Sequence, residues 1–307
     1  MRRASKRSAQ SDGFRAASGG GGEWNTTGGG GFGHAAGSLG IAFLPREHGA
    51  TAMLLTPMVC AAILAREWRW SELATLAAAI AALAAKDPMV VLARQGFVWK
   101  QRHPETMIAV RWLAVWIAVL ILCGLVLVHA WPLTAIMALG LGIGVFSAAA
   151  VAVNVKNRQR STLFQIVSAA ALTSSSLATS LSATGSIAPW CWWLWLLMAM
   201  QAAAGILVVH ARLDARIASR GGTALANEGH RRAAHAALIV LACAAVGAAM
   251  LGNGWIALAL LVVVAGYRHD LRAQRDTAAL QVQLKKVGQR TLALSSLFAV
   301  LVIVGLW

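Results

Sequence analysis

Ionisable residues interrupt the apolar runs of this chain at a few places, and their types and spacing allow chemistry. At the end of the sixth apolar run, His210 and Asp214 lie four residues apart, and Arg212 and Arg216 have the same spacing. Residues at that spacing are neighbours on a helix, so the two pairs line adjacent faces. A row of cations there could hold an anionic head group or a phosphate. The same residues could instead only stabilise the helix end, whose dipole attracts cations.

A second place lies in the second apolar run, where Lys86 and Asp87 precede Pro88. Proline removes a backbone hydrogen bond and can kink or break a helix. Adjacent helical residues point about 100° apart, so Lys86 and Asp87 do not face each other. They are either side chains that reach toward the membrane interface or part of a polar site within the membrane.

The third place is Pro45-Arg46-Glu47-His48-Gly49, immediately before the first apolar run. Proline suits the first turn of a helix, and glutamate suits its positive end. The segment therefore either starts a helix at the interface or sets Arg46, Glu47 and His48 at the mouth of a cavity.

Metal and nucleotide chemistry have no recognisable motif in the chain. P-loop, zinc-protease, hydrolase-elbow and dinucleotide patterns are all missing. The four cysteines lie far apart inside apolar runs, which predicts small core residues rather than metal ligands or disulfides. The hydroxyl residues between Thr173 and Ser180 predict either close helix packing or a polar transport path. Gly140, Gly142 and Gly144 predict packing contacts.

The elements that position these residues are membrane helices. The chain is 58% hydrophobic and only 12% charged, whereas an ordinary soluble domain carries about a quarter charged residues. Its apolar runs approach the roughly 20 residues that cross a bilayer. We predict an all-α, polytopic transmembrane bundle of about nine spans over residues 41–307, with spans His48–Ala65, Leu73–Leu92, Met107–His129, Leu133–Val155, Leu163–Leu181, Trp190–Val209, Ala233–Leu251, Trp255–Tyr267 and Thr291–Trp307.

The basic residues predict the orientation of these spans. All but two of the 27 lysines and arginines fall on one side of the predicted membrane, and the exceptions are Arg66 and Arg69. Positive loops mark the cytoplasmic side, so the amino terminus is predicted inside and Trp307 outside. This distribution explains the net charge of +16 without a nucleic-acid partner. The Gly- and Ser-rich residues 1–40 are predicted to be a disordered cytoplasmic tail.

Two resemblances add to this prediction. Pro45-Arg46-Glu47-His48-Gly49 with Met53-Leu54-Leu55 and Pro57 resembles the opening signature of YwiC-like integral membrane proteins, a bacterial family. The segment Leu284-Lys285-Lys286-Val287-Gly288 resembles that family's closing segment. The resemblance implies a multi-pass protein of the bacterial cytoplasmic membrane.

The nine-span layout is also similar to that of UbiA-type prenyltransferases. In those enzymes, aspartate-rich segments after spans two and six hold magnesium and a prenyl diphosphate. This chain has one aspartate at each place, Asp87 and Asp214, and both are flanked by cations. Magnesium usually needs more than one carboxylate, so no metal cofactor is expected, and whether the chain is an enzyme stays open.

These observations lead to one functional hypothesis with two alternatives. The chain is predicted to bind an anionic or isoprenoid-like lipid in a cytoplasm-facing cavity, and the charged head would contact Arg46, His48, Lys86, Arg212 and Arg216. The first alternative is a small-solute transporter whose path is lined by the hydroxyl residues of span five. The second is a structural partner of another membrane protein.

Overall fold

The structure, a computed structural model, describes residues 48–101, 105–155, 161–219, 225–280, 282 and 284–307. The predicted tail of residues 1–40, together with Arg46 and Glu47, lies outside these residues. The described chain is all-helical, as predicted, with no strand in these ranges.

Eleven α-helices and one short π-helix follow one another along the described chain. The π-helix, Gln95–Trp99, directly continues the second α-helix. The α-helices are α1 His48–Ala65, α2 Trp70–Arg94, α3 Glu105–Leu127, α4 Leu133–Val155, α5 Thr162–Thr173, α6 Ser175–Thr184, α7 Pro189–Ala218, α8 Leu225–Met250, α9 Gly254–Ala273, α10 Thr277–Leu280 and α11 Leu284–Leu306.

The predicted membrane spans are present as helices. Within the described residues, eight segments are long and apolar enough to cross a bilayer, and Gly49–Ala65 forms a shorter apolar helix. The helix α2 continues through Pro88 without a break. Span five, in contrast, is divided at Ser174 into α5 and α6. The chain is therefore a multi-pass membrane protein with about eight spanning helices and a shorter first one.

One contact links the ends of the first and last spans. The Arg66 guanidinium, just after α1, lies 3.9 Å from the centre of the Trp307 ring and donates a hydrogen bond of 3.1 Å to the main-chain oxygen of Trp307. The carboxyl ends of α1 and α11 therefore lie on the same side of the helix bundle. We call this side the outer face and the opposite side the inner face, following the predicted orientation.

The main core lies among α7, α8, α9 and α11, which α1 joins from one side. Its largest fully buried side chains include Tyr267, Phe298 and Leu194. Helix α7 is the centre of the fold, because it contacts α1, α5, α6, α8, α9 and α11.

Helices α3 and α4 are the most exposed spans. Helix α2 packs against both of them, and large apolar side chains on α4 such as Leu141 and Val145 are more than 60% exposed. In water such a surface would aggregate, whereas in a bilayer it faces lipid chains.

The predicted burial of the cysteines is mostly right. Cys60, Cys123 and Cys191 are buried, but Cys243 is exposed on α8, so the prediction is wrong for that residue. Cysteine is small and apolar enough to face lipid as well as protein, and hydropathy does not distinguish the two.

Candidate functional site

A cavity of about 450 Å³ lies between α1, α2, α4 and the divided span of α5 and α6. That volume falls in the usual range for small-molecule sites, roughly 300–1,000 Å³. Its lining consists of Leu54, Met58, Thr75, Ala78, Ala79, Ala82, Leu83, Lys86, Leu127, Trp131, Ala138, Leu139, Gly142, Ile143, Phe146, Ser147, Ala150, Ala171, Leu172, Ser174, Ser175 and Ala178.

The lining is almost entirely apolar. Among the described lining residues, Lys86 is the one that carries a charge, and a few hydroxyls supply the remaining polarity. Lys86 lies toward the inner end of α2, eight residues before its last residue, Arg94. Trp131 marks the opposite, outer end of the cavity. The cavity therefore has an apolar body and a basic group toward its inner end.

Hydrogen bonds connect the helices at the outer end of the cavity. The buried Trp131 indole N–H donates to Ser182 Oγ at 3.0 Å, and Ser71 Oγ donates to the Ser182 carbonyl oxygen at 2.8 Å. Thr75 Oγ1 also bonds Ser182 Oγ. These contacts join α2, α6 and the turn before α4, so polar groups at this end satisfy each other rather than a ligand.

The division of span five lies beside the cavity. Ser174 separates α5 from α6, and its hydroxyl donates to the carbonyl oxygen of Ala171 at 2.7 Å. Ser175 Oγ donates to Leu54 O in α1 at 2.7 Å, and the Trp195 indole N–H donates to Ala170 O at 2.9 Å. Side-chain hydroxyl and indole groups thus donate hydrogen bonds to main-chain carbonyl oxygens around the division. The buried hydroxyls of this span serve helix packing, which supports the packing interpretation of the Ser/Thr run, although Ser174 and Ser175 also reach the cavity.

A second cavity, of about 670 Å³, lies on the other side of α4, between α2, the π-helix and α3. Its lining is apolar apart from Ser147, and it includes Gly144. At the inner end, Arg94 donates to the carbonyl oxygen of Asn154 at 3.1 Å and joins α2 to α4.

The glycines of α4 are not packing contacts, so that prediction is wrong. A methyl group added at Gly140, Gly142 or Gly144 would meet no atom within 4 Å. Gly142 and Gly144 instead face the two open spaces that flank the helix. Small residues favour close helix approach only where a second helix lies against them, and the sequence does not reveal whether one does.

A polar cluster joins the inner ends of α5, α7 and α8. His230 Nδ1 lies 2.6 Å from Asp214 Oδ2, and His230 Nε2 lies 2.8 Å from Thr162 Oγ1. His210 Nε2 lies 3.0 Å from Gln165 Oε1, and the His210 and His230 rings are 5.1 Å apart between centroids. The predicted pair His210 and Asp214 is therefore brought together, with His230 as their common neighbour.

The predicted pair Arg212 and Arg216 takes no part in that cluster. Arg212 is buried, and its guanidinium donates to the carbonyl oxygen of Ala279 in α10 at 2.6 Å. Arg216 lies half-buried in the last turn of α7. Nearby, Asp270 of α9 forms an ion pair of 3.1 Å with Arg290 of α11. Arg212 thus joins α7 to α10.

The predicted site residues consequently fall in separate places. Lys86 lines the first cavity, and Asp87 follows it in α2. His48 begins α1, six residues before the cavity residue Leu54. The residues of α7 belong to the His230 cluster or to the α10 contact, and no α7 residue of the described chain lines the cavity.

Three residues of the polar cluster were missed by sequence reasoning: His230, Thr162 and Gln165. Each lies at an inner helix end, where polar residues are expected at the interface and carry no particular signal. Only the antiparallel packing of α7 against α8, and of α5 against α7, brings them to His210 and Asp214.

Every residue that lines either cavity lies between Leu54 and Ala178. Residues 44–181 match the model of the YwiC-like protein family. The YwiC-like segment therefore contains α1 to α5, most of α6 and both cavities. It excludes α7 to α11 and the closing segment 284–288, and of the polar cluster it contains Thr162 and Gln165 but not His210, Asp214 or His230. No curated protein matches the chain.

Proposed function

We propose that this protein binds a single-headed anionic lipid, isoprenoid-like or acyl, in the cavity between α1, α2, α4, α5 and α6. The observation that carries the proposal is an elongated apolar cavity with one lysine toward its inner end. The cavity also lies wholly within the YwiC-like segment, which favours it as the feature that this family shares.

The shape of the cavity favours a chain over a compact solute. Its lining residues on α4 run from Ala138 to Ala150, about 18 Å along a helix that rises 1.5 Å per residue. A sphere of about 450 Å³ would be only about 9 to 10 Å across. A ligand that fills the cavity is therefore long and narrow, as a hydrocarbon chain is.

The chemistry of the lining points the same way. A polar solute loses its hydrogen bonds to water when it enters an apolar site, and each unsatisfied group costs about 1–3 kcal/mol. Three of the four hydroxyls that line this cavity, those of Thr75, Ser174 and Ser175, already donate to carbonyl oxygens. A hydrocarbon chain needs no such partners.

The anionic head is assigned to Lys86. This side chain lies toward the inner end of the lining, and Arg46 and His48 lie close before Leu54 in sequence. We assign these three residues to the head group and leave Arg212 and Arg216 out, because both lie on α7, of which no described residue lines the cavity. In the predicted orientation the head faces the cytoplasm of a bacterial cell.

A second candidate function is transport of a small solute. The observation in its favour is the division of span five at Ser174, because interrupted helices near mid-membrane are common at transporter binding sites. The apolar lining weighs against it.

The test uses glycine substitutions in α4 that differ only in the space they fill. Gly142→Phe would fill the lipid cavity, whereas Gly140→Phe places the same ring outside both cavities; neither glycine has an atom within 4 Å of an added Cβ. Purified protein in nanodiscs would be exposed to a diazirine-bearing farnesyl phosphate and to a diazirine-bearing dodecyl phosphate. Cross-linked peptides would be identified by mass spectrometry.

We expect cross-links in α2 and α4 of the wild-type protein and of Gly140→Phe, and at least a tenfold loss in Gly142→Phe. Lys86→Gln should weaken capture of both phosphates, whereas Lys100→Gln, which removes a lysine outside the cavity lining, should not. More efficient cross-linking of the farnesyl probe would assign the ligand to the isoprenoid lipids. Equal cross-linking of the two probes would mean that the cavity accepts any single hydrocarbon chain. Equal labelling of the two phenylalanine variants would refute the cavity as the site. If liposomes that contain the protein take up a polar solute, and Gly142→Phe abolishes this uptake, the result would favour transport instead.

A further inference from the structure

The polar cluster at the inner face contains a hydroxyl, an imidazole and a carboxylate in series. Thr162 Oγ1 lies 2.8 Å from His230 Nε2, and His230 Nδ1 lies 2.6 Å from Asp214 Oδ2. In an activated nucleophile, a hydroxyl lies within hydrogen-bond distance of a base, and a third group orients that base. We propose that Thr162 is an acyl-accepting nucleophile, with His230 as its general base and Asp214 as the residue that positions His230.

The hydrogen-bond chemistry fixes the direction of proton transfer. A carboxylate only accepts hydrogen bonds, so the proton on His230 lies on Nδ1 and points to Asp214. The neutral ring then has an unprotonated Nε2, which accepts from the Thr162 hydroxyl. This is the tautomer that a general base needs.

The burial of the three side chains agrees with these roles. The Asp214 side chain is 14% exposed and the His230 side chain 35%, and Thr162 is half-buried at the start of α5. The orienting carboxylate is thus the most enclosed member, and the base can be reached from the inner face. The His210 ring is a neighbour of the His230 ring, and its Nε2 lies within hydrogen-bond distance of Gln165.

The position of Thr162 adds a place for developing negative charge. It is the first residue of α5, and the N–H groups of a first helical turn have no acceptor within their helix. Such groups stabilise an oxyanion when a carbonyl carbon is attacked beside them.

The reaction class that fits is transfer of an acyl group from an oxygen ester or a thioester. Thr162 Oγ1 forms a bond to the carbonyl carbon while its proton passes to His230 Nε2. The bond to the leaving oxygen or sulfur then breaks, and His230 returns the proton to that atom. Water, activated by the same imidazole, releases the acyl group as a carboxylic acid. Because the site lies at the inner ends of spanning helices, the acyl chain can remain in the bilayer during the reaction.

The experiment detects the covalent adduct directly. The full-length protein in nanodiscs would be treated with a decyl fluorophosphonate, whose phosphorus takes the hydroxyl oxygen as fluoride leaves, and the modified residue would be mapped by tandem mass spectrometry. Turnover of 4-nitrophenyl decanoate and of a decanoyl thioester would be measured in parallel. Ser161→Ala is the matched control, since it removes the neighbouring hydroxyl, which caps no helix N–H.

We expect the adduct on Thr162 in the wild-type protein, faster labelling in Thr162→Ser because a primary hydroxyl is less hindered, and none in Thr162→Ala. Asp214→Asn should lower labelling and turnover by about 10²–10⁴-fold, the usual contribution of general acid–base catalysis, and Asp214→Glu should restore part of it. Ser161→Ala should behave as the wild type.

The absence of an adduct at residue 162 in both the wild type and Thr162→Ser would overturn the proposal. So would labelling that Asp214→Asn leaves unchanged while the thermal transition shows folded protein. A merely structural cluster would lower thermal stability in Asp214→Asn without any residue becoming labelled. Adduct mapping on the wild type decides the question even where a variant fails to fold, and it is independent of lipid binding in the cavity.

Discussion

The contact between Gly205 and Tyr267 holds α7 against α9 in the centre of the membrane bundle. A Cβ added at Gly205 would lie 2.7 Å from the Tyr267 hydroxyl oxygen and 3.4 Å from its ring carbon Cζ. Tyr267 is only 1% exposed, and its hydroxyl accepts a hydrogen bond of 2.8 Å from Gln201. We therefore predict that Gly205→Ala destabilises the protein, although alanine is the better helix former.

The size of the effect follows from three contributions. Overpacking a tight interior costs roughly 1–3 kcal/mol, and straining the tyrosine hydrogen bond adds about 1 kcal/mol. Replacing glycine by alanine within a helix stabilises the folded state by roughly 0.5–1 kcal/mol. The net destabilisation is therefore about 1–3 kcal/mol. Gly247→Ala, where an added Cβ meets nothing within 4 Å, should instead be neutral or stabilise by up to about 1 kcal/mol.

Removing the hydroxyl should reverse the effect. In Gly205→Ala/Tyr267→Phe the closest contact becomes the ordinary 3.4 Å distance to Cζ, while Gln201 keeps its second hydrogen bond, to Ser295. The double variant should be more stable than Gly205→Ala alone, with a coupling energy of about 1–3 kcal/mol.

The native cysteines provide the assay. Cys60 and Cys191 are 2% and 0% exposed, so a thiol-reactive fluorophore reports unfolding once the exposed Cys243 is replaced by alanine. Stabilities would be compared in one detergent. If Gly205→Ala is as stable as Gly247→Ala, or if Tyr267→Phe fails to rescue it, the reasoning is refuted.

Three further predictions concern the outer face. Arg66→Ala should lower stability by about 1 kcal/mol in the same fluorophore assay, because it loses the ring contact and the hydrogen bond to Trp307; no change would mean that the contact contributes nothing. Ser182→Ala should cost about 1–3 kcal/mol by leaving the Trp131 indole N–H buried and unpaired, and adding Trp131→Phe should recover part of that loss. Alkaline phosphatase fused after Trp307 should be active and green fluorescent protein dark; the opposite pattern would reverse the predicted orientation.

The sequence predicted the helices well because the bilayer imposes a simple rule on hydropathy. The bounds of α4, Leu133–Val155, match the predicted span, since the run is flanked by Pro132 and Lys156. Other helices extend beyond their predicted spans, as α9 does from Tyr267 to Ala273, because a helix continues into the polar interface while its hydropathy falls. The division at Ser174 was not predicted, since hydroxyl side chains are compatible with both a continuous and an interrupted helix.

The candidate site was much harder to predict. An alanine or glycine that lines a cavity has the same composition signal as one that faces lipid, so Gly142 and Ala79 could not be recognised as cavity residues. Lys86 could be singled out as a candidate, because a charge within an apolar run is conspicuous. His230 was not, since its partners Asp214 and Thr162 lie 16 and 68 residues away in sequence.

The location of α1 within the core has a consequence for biogenesis. This helix precedes the other described spans in the chain, yet Cys60, Ala61 and Leu64 belong to the core that α7, α8, α9 and α11 complete. The packing of α1 in this core can therefore be completed only after α11 has been synthesised. The contact of Arg66 with Trp307 at the outer face likewise forms only after α11 has been made, so it reports that α1 and α11 have come together.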